Sequence, residues 1–131
     1  MIEYLEQLPS TEDFLKIRRA CLSEKTAEAA RKGLPNSLYC VIATSQGMTI
    51  GMGRVVGDGG LNFEIVDIAV LPEYQGKGIG KRIMEHIMAF LEANAPESAY
   101  ISLMADVPAL YEKFGFKLSR PSVEGMYQVK E

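Results

Sequence analysis

The feature that most constrains this chain is the stretch from Ile65 to Arg82, where an apolar run ends at Pro72 and a glycine-rich turn leads into a helical pattern. The turn reads Gln75-Gly76-Lys77-Gly78-Ile79-Gly80. A helix that begins on glycines leaves its first backbone N–H groups free, and the helix dipole adds to their attraction for an anion. Because glycine has no Cβ, a phosphate can approach the main chain closely. The order of these parts predicts a strand, an anion-binding turn and a helix.

Basic side chains cluster at the same turn, at Lys77, Lys81 and Arg82. The whole chain has a formal net charge of −3, so the broad positive surface of a nucleic-acid-binding protein is not expected. The predicted anion is therefore small, and a diphosphate is the natural candidate. For an isolated glycine triplet, a plain strand-to-helix turn beside a solvated helix end is the alternative.

Length and composition predict one domain over residues 1–131, with 47% hydrophobic and 24% charged residues. The start, Met1-Ile2-Glu3-Tyr4, has no basic segment followed by an apolar core, and no apolar run is long enough to cross a bilayer. We therefore expect a cytoplasmic protein with no membrane partner. Cys21 and Cys40 are expected to be free buried thiols, and His86 a helix-flank residue, so no metal site is predicted.

Apolar periodicity and turn residues predict an antiparallel meander that leads into a strand–helix–strand unit. The predicted strands are Ile2–Leu8, Leu38–Thr44, Met48–Val56, Leu61–Leu71 and Ala99–Met104, with a closing pair at Phe116–Ser119 and Met126–Lys130. The predicted helices are one capped by Ser10, then Thr26–Lys32, Gly78–Asn94 and Pro108–Phe114. This order gives an α+β fold, a mixed and mostly antiparallel sheet flanked by helices.

The glycine turn resembles the acetyl-CoA motif Q/R-x-x-G-x-G/A of the GCN5-related N-acetyltransferase (GNAT) superfamily at every fixed position. The segments Asp67–Tyr74 and Leu110–Phe116 resemble the same family, so the likeness extends from about Glu64 to Phe116. It implies the GNAT fold with a splayed sheet. It also implies transfer of the acetyl group of acetyl-CoA to a primary amine of a small molecule or peptide, without a metal.

The resemblance also implies which residues bind the cofactor. The pyrophosphate of acetyl-CoA would bind the backbone N–H groups from Gln75 to Gly80, with Lys77, Lys81 or Arg82 near its phosphates. The pantetheine arm would pair like a further strand with the main chain of Ile68, Ala69 and Val70. The strand Ala99–Met104 would diverge from the preceding strand to open the slot.

Two catalytic roles follow from the resemblance and agree with the chemistry of acyl transfer. Tyr111 matches the tyrosine that many members place near the cofactor sulfur as general acid, and an unperturbed phenol stays protonated at neutral pH. Glu64 precedes Gln75 by eleven positions, the spacing of the catalytic glutamate in histone-acetylating members. Asp67 is the competing base; because strand side chains alternate, we expect only one of these two carboxylates to face the cleft. A water relay could replace both.

Several points stay open at this stage. Met104 stands where many relatives carry an asparagine, so Asp106 or main chain would have to supply contacts on that side. The glycine spacing excludes a dinucleotide-binding fingerprint, and no G-K-[ST] follows to make a P-loop. The main rival is a module of the same fold that binds acyl-CoA without catalysis. The acceptor amine carries no readable motif, and a homodimer is left open.

Overall fold

The computed structural model describes residues 1–131, which form a five-stranded sheet with helices on both faces. The strands are β1 (Ile2–Leu5), β2 (Tyr39–Ser45), β3 (Met48–Gly57), β4 (Asn62–Val70) and β5 (Tyr100–Leu103). The helices are α1 (Thr11–Cys21), α2 (Ala27–Gly33), α3 (Ile79–Asn94) and α4 (Pro108–Glu112), with single 3-10 turns at Leu34–Asn36 and Pro72–Tyr74. The predicted α+β fold is confirmed.

The strands follow one another across the sheet in chain order, as the meander predicts. β1 to β4 are antiparallel neighbours, and the turn between β3 and β4 is held by Asp58, whose Oδ1 accepts N–H bonds from Gly60 and Leu61 at 2.9 and 2.8 Å. β5 returns parallel to β4 after the long helix α3. The strand–helix–strand unit is therefore present, and it brings the end of β5 beside β4.

β4 and β5 pair over only part of their length, which opens the sheet. Their register runs from Asn62 opposite Tyr100 to Ile65 opposite Leu103, and it stops there. From Val66 to Val70, β4 is paired on one edge only, with β3. The predicted divergence of β5 is thus confirmed, and it leaves a gap that leads along β4 toward the glycine turn.

The helices cover the two faces of the sheet unequally. α3 packs across β2, β3 and β4, whereas α1 packs on β3 and β4 from the other side. α3 lies very close to β3: a Cβ built on Gly53 would be 2.7 Å from both Ile68 Cδ1 and Ile83 Cγ2. The buried apolar side chains form one cluster. No helix is long and apolar enough to cross a bilayer.

A β-bulge interrupts β4 at Asp67. Met52 is opposite Ala69 and Arg54 is opposite Val66, so the single residue between them on β3 faces two residues on β4. Asp67 has φ of 59°, a conformation that aspartate tolerates better than most residues. An extra residue reverses the alternation of side chains beyond it. The bulge therefore changes which side chains of β4 share a face.

The predicted closing strands Phe116–Ser119 and Met126–Lys130 are wrong, because no strand follows β5. The segment after Gly115 consists of turns and irregular backbone. Its apolar side chains find no core to cover: Leu118 is 57% exposed, Met126 90% and Tyr127 83%. Alternating apolar residues predict a strand only where one face can be buried, and this segment lacks such a face.

Candidate active site

The glycine turn presents a row of free backbone donors. Gly76 and Gly78 have φ of 79° and 82°, which only glycine adopts readily. Gly78 is the N-cap of α3 and supplies no side-chain cap, and the first helical bond runs from Arg82 N–H to the Gly78 carbonyl at 3.1 Å. The N–H groups of residues 76–81 donate no hydrogen bond within the protein. Together with the α3 dipole, these donors are suited to a phosphate oxygen.

The space in front of the turn is open. A Cβ added at Gly76, Gly78 or Gly80 would meet no atom within 4 Å. Gly80 differs from the other two because it lies within α3 and has no positive φ. Neither backbone conformation nor packing therefore requires glycine at position 80. A small residue is enough there, which agrees with the glycine or alanine that the acetyl-CoA motif admits at this position.

The basic side chains of the turn are exposed and loosely held. Lys77 Nζ lies 5.5 Å from the centroid of the Tyr74 ring, and Arg82 Nη1 is 3.3 Å from Glu85 Oε1. Lys81 is exposed on the first turn of α3 and forms no salt bridge. Ile79, by contrast, is 3% exposed, so only its main chain is available at the turn.

The free edge of β4 runs between the turn and the gap in the sheet. Leu71 N–H donates to Ile50 on β3 at 2.9 Å, and the Val70 carbonyl of the same trans peptide therefore points to the free edge. The Val70 carbonyl accepts hydrogen bonds from Gln75 Nε2 at 2.8 Å and from Cys21 Sγ at 3.3 Å. The Gln75 side chain therefore closes the turn onto the strand. Ile68 and Ala69 lie on the same unpaired stretch.

A cavity of about 450 Å³, called the central cavity below, lies where β4 and β5 part. Its lining includes Glu64, Asp67, Met104, Asp106 and Tyr111. β4 and the segment that follows β5 bring these residues together from positions 37 to 47 apart in the sequence. Tyr111 also lines a second cavity of about 470 Å³, between β5 and the C-terminal segment. The predicted catalytic residues Glu64 and Tyr111 thus meet in one cavity.

Tyr111 is held as a buried phenol whose hydroxyl remains accessible. The short helix α4 starts at Pro108, and its Tyr111 carbonyl accepts N–H bonds from Phe114 and Phe116, which close the helix. Tyr111 is 8% exposed. The Tyr111 hydroxyl has no hydrogen-bond partner in the protein. Every side-chain oxygen that is fully buried does have a partner, so Tyr111 Oη must be open to the space of the cavity. Burial, and then the negative charge of Asp106, raise the pKa of Tyr111 above its usual value near 10.0. The phenol is a proton donor at neutral pH.

The two candidate bases differ in how they are bound. Glu64 is half-buried and forms neither a salt bridge nor a side-chain hydrogen bond, so its carboxylate can accept a proton. Each oxygen of Asp67 is already engaged: Oδ1 accepts from Arg18 Nη1 at 2.8 Å and Oδ2 from Arg54 Nε at 2.7 Å. The expectation that only one of them faces the cleft is wrong, since both line the central cavity. The bulge at Asp67 reverses the alternation that the expectation assumed.

Of the remaining predicted residues, Met104 lines the central cavity, whereas His86, Cys21 and Cys40 lie outside its lining. His86 stacks on Tyr4 with ring centroids 5.5 Å apart, as a helix-flank residue. Both thiols are free; Cys40 is buried, whereas Cys21 is only half-buried. No group of three or more histidine, cysteine, aspartate or glutamate side chains is placed to hold a metal ion. Met104 is 63% exposed at the cavity mouth, where the family pattern has an asparagine.

Sequence reasoning missed the charged residues Arg18, Lys25 and Arg54 of the central cavity, and the two arginines are largely buried. Their side chains are 10% and 14% exposed. The signal was present: Arg18 shares the apolar face of α1 with Phe14 and Ile17, and Arg54 interrupts an apolar strand. A charged residue at a core position is rarely buried without a partner, so such positions indicate a polar site.

Similarity to known proteins extends over the whole chain. Residues 36–118 match the family described as acetyltransferase (GNAT) domain. The 1.7 Å crystal structure of a protein of unknown function from meticillin-resistant Staphylococcus aureus, described as a probable acetyltransferase, is 49% identical. The two structures superpose with a TM-score of 0.95 over 99% of this chain and 100% of that one.

More distant relatives agree. GCN5-related N-acetyltransferase 2, chloroplastic, of Arabidopsis thaliana is 38% identical over 80 residues, which are 60% of this chain and 30% of the plant protein. The chain spans 30% to 56% of the length of the first curated relatives that it matches. A GNAT family acetyltransferase from Brucella melitensis in complex with acetyl-CoA shares the fold, with a TM-score of 0.66 at 18% identity over 89% of this chain and 83% of that one. The matched domain and the full-length likeness to the Staphylococcus protein lead to one conclusion: this chain belongs to the GNAT acetyltransferase family.

Proposed function

We propose that this protein is an acetyl-CoA-dependent N-acetyltransferase that acts on a primary amine. The observation that carries the proposal is the central cavity, in which the unpaired carboxylate of Glu64 and the accessible hydroxyl of Tyr111 line one space. Acyl transfer to an amine needs an acceptor for the proton of the amine and a donor for the departing thiolate. The cavity holds one group suited to each task.

The glycine turn and the β4 edge are the proposed binding surface for acetyl-CoA, which supplies an acetyl group activated as a thioester. The free N–H groups of residues 76–81 would bind the pyrophosphate, with Lys77 and Lys81 adding positive charge. The main chain of Ile68, Ala69 and Val70 would pair with the pantetheine arm along the edge that β5 leaves open. This support is geometric: the turn lies at the end of β4 that leads out of the central cavity.

The proposed reaction is a direct transfer in one site. Glu64 accepts a proton from the attacking amine, directly or through a water, while the amine nitrogen bonds to the thioester carbon. Tyr111 Oη gives its proton to the sulfur as the carbon–sulfur bond breaks, so the products are an amide and free CoA. Glu64 has no competing partner for this role, whereas Asp67 is tied to two guanidinium groups. We therefore assign the base to Glu64, with Asp67 as a structural residue.

Turnover with a panel of amines tests the proposal. The protein is incubated with acetyl-CoA and each amine; free thiol is followed by a chromogenic disulfide, and the acetylated amine by mass spectrometry. Its own thiols should contribute little, because burial raises the pKa of Cys40 to about 12 and also raises the pKa of Cys21. We expect thiol release that depends on an amine and falls in Glu64→Gln. Binding of acetyl-CoA without release for any amine would instead support a non-catalytic acyl-CoA-binding module.

A further inference from the structure

Three buried charged side chains form a triad beside the central cavity. Asp67 accepts from Arg18 Nη1 and from Arg54 Nε, and the three side chains are 8%, 10% and 14% exposed respectively. Two guanidinium groups share one carboxylate, so the triad has a net charge of +1. The cavity lining adds Lys25 and the carboxylates of Glu64 and Asp106, so the positive excess is local to the triad.

The two arginines are not equally engaged. All three nitrogens of Arg18 have partners, since Nε and Nη2 donate to Ser23 in addition to the bond to Asp67. Arg54 donates from Nε to Asp67 and from Nη1 to Ser37 at 2.7 Å, and its Nη2 has no partner. Because no buried side-chain nitrogen lacks a partner, Nη2 reaches open space. Arg54 lines the central cavity and is thus a fixed guanidinium with one free nitrogen, which carries two N–H donors.

Both signs of charge line the cavity. Lys25, exposed and without a salt bridge, lines it together with the two arginines. The carboxylates of Glu64 and Asp106 belong to the same lining, as does Tyr111. Arg54 is directly opposite Val66 in the register, so Glu64 is its diagonal neighbour on the same face of the sheet, about 7–8 Å away. A ligand that bears both charges would match this pattern.

We propose that the acceptor is an amine that also carries an oxyanion, a carboxylate or a phosphate, bound by Arg54 and Lys25. The inference rests on the proposed function, because it concerns the second substrate of the same site. The pantetheine arm and the thioester are uncharged, so the oxyanion belongs to the acceptor. Its amine then lies near Glu64 and Tyr111. The free nitrogen of the Arg54 guanidinium can donate charge-assisted hydrogen bonds to a carboxylate or a phosphate.

Matched pairs of acceptors test this inference in two independent ways. The probes are glycine, 3-aminopropanoate, 4-aminobutanoate, 6-aminohexanoate and L-leucine, each compared with its neutral carboxamide. Aminoalkylphosphonates of the same lengths replace the carboxylate by a phosphate-like group, and 1,4-diaminobutane replaces it by a cation. Calorimetry measures binding of each probe to the complex with CoA, which cannot transfer acetyl, and kcat/KM is measured with acetyl-CoA.

We expect at least one carboxylate or phosphonate to bind, and to react, about tenfold better than its carboxamide, with the diamine weakest. Arg54→Lys keeps a positive charge beside Asp67 but offers no guanidinium edge, so the preference should fall. Lys25→Met should lower it as well. Lys32→Met is the matched control, because Lys32 is exposed on α2 and lies outside the cavity lining; it should leave the preference unchanged.

The outcomes separate this inference from the proposed function. Tighter binding of the anionic probes without acetyl transfer would support the anion site and overturn the proposed function. Acetylation that favours carboxamides or diamines would support the proposed function and overturn the anion site. The anion site would also be overturned if the charged probes bound no better than their carboxamides, or if no probe bound. An equal loss of the preference in Lys25→Met and Lys32→Met would overturn it as well.

Discussion

Replacement of Gly80 by alanine should separate the stability of the fold from the function of the glycine turn. Gly80 lies within α3, has no positive φ, and a Cβ there meets no atom within 4 Å. Alanine is favoured over glycine in a helix by about 0.5–1 kcal/mol. The Gly80→Ala variant should therefore fold and unfold at a temperature about 3 °C higher.

The same methyl group should leave the binding of acetyl-CoA nearly unchanged, because the motif that the turn resembles admits glycine or alanine at this position. Alanine keeps all the backbone N–H groups that have no partner in the protein and that we assign to the pyrophosphate. Hydrogen bonds to a charged group contribute about 1.5–3 kcal/mol each, so the loss of even one would raise Kd by roughly tenfold or more. We therefore expect a variant that is more stable and binds acetyl-CoA with an affinity close to that of the wild type.

Calorimetric titration with acetyl-CoA and thermal denaturation without it provide the two readouts. Gly33→Ala is the matched control. Gly33 is the last residue of the helix α2, its φ of −85° is an ordinary helical value, and a Cβ added there would meet no atom within 4 Å. It should gain similar stability and keep wild-type affinity. These expectations are wrong if Gly80→Ala binds acetyl-CoA more than about tenfold less tightly than Gly33→Ala, or if it unfolds at a lower temperature than the wild type.

Three further predictions concern Tyr111, the buried triad and the packing of α3. Burial and the charge of Asp106 raise the pKa of Tyr111 above 10.0, so the loss of kcat/KM that follows deprotonation of Tyr111 should occur above pH 10.0. A loss at lower pH that is absent from Tyr111→Phe would contradict this expectation. Asp67→Asn keeps the tolerated positive φ but leaves two buried guanidinium groups unpaired, so urea denaturation should show a loss of about 3 kcal/mol, whereas a loss below about 1 kcal/mol would argue against a structural role. Gly53→Ala places a Cβ 2.7 Å from Ile83 Cγ2 and should lose about 1–3 kcal/mol in the same assay; wild-type stability would mean that α3 lies farther from β3.

The parts of the fold that the sequence predicted are those governed by local patterns. The strand, glycine turn and helix around Gly78 are specified by residues that adjoin one another, as are the cap at Ser10, whose Oγ accepts the Asp13 N–H at 3.1 Å, and the β2–β3 hairpin. The resemblance to a family added Glu64 and Tyr111, which no local pattern connects. The structure brings both to one cavity.

The parts that sequence reasoning missed depend on long-range contacts. A β-bulge is not visible in the alternation of β4, so Asp67 was assigned to the wrong face relative to Glu64. Arg18 and Arg54 have meaning only as partners of Asp67, and these partners come from α1, β3 and β4. The tail after Gly115 showed an apolar alternation that predicted strands, but alternation does not reveal whether a core surface remains to be covered.

We propose that Tyr111 donates the proton that releases CoA, and the rate of acetyl transfer in Tyr111→Phe measures this role. Tyr127→Phe is the matched control, since Tyr127 is 83% exposed in the C-terminal segment. Tyr111→Phe should keep its affinity for acetyl-CoA while kcat falls by about a hundredfold, and Tyr127→Phe should behave as wild type. Equal kcat in wild type and Tyr111→Phe, with the same acceptor, would show that Tyr111 is not the proton donor.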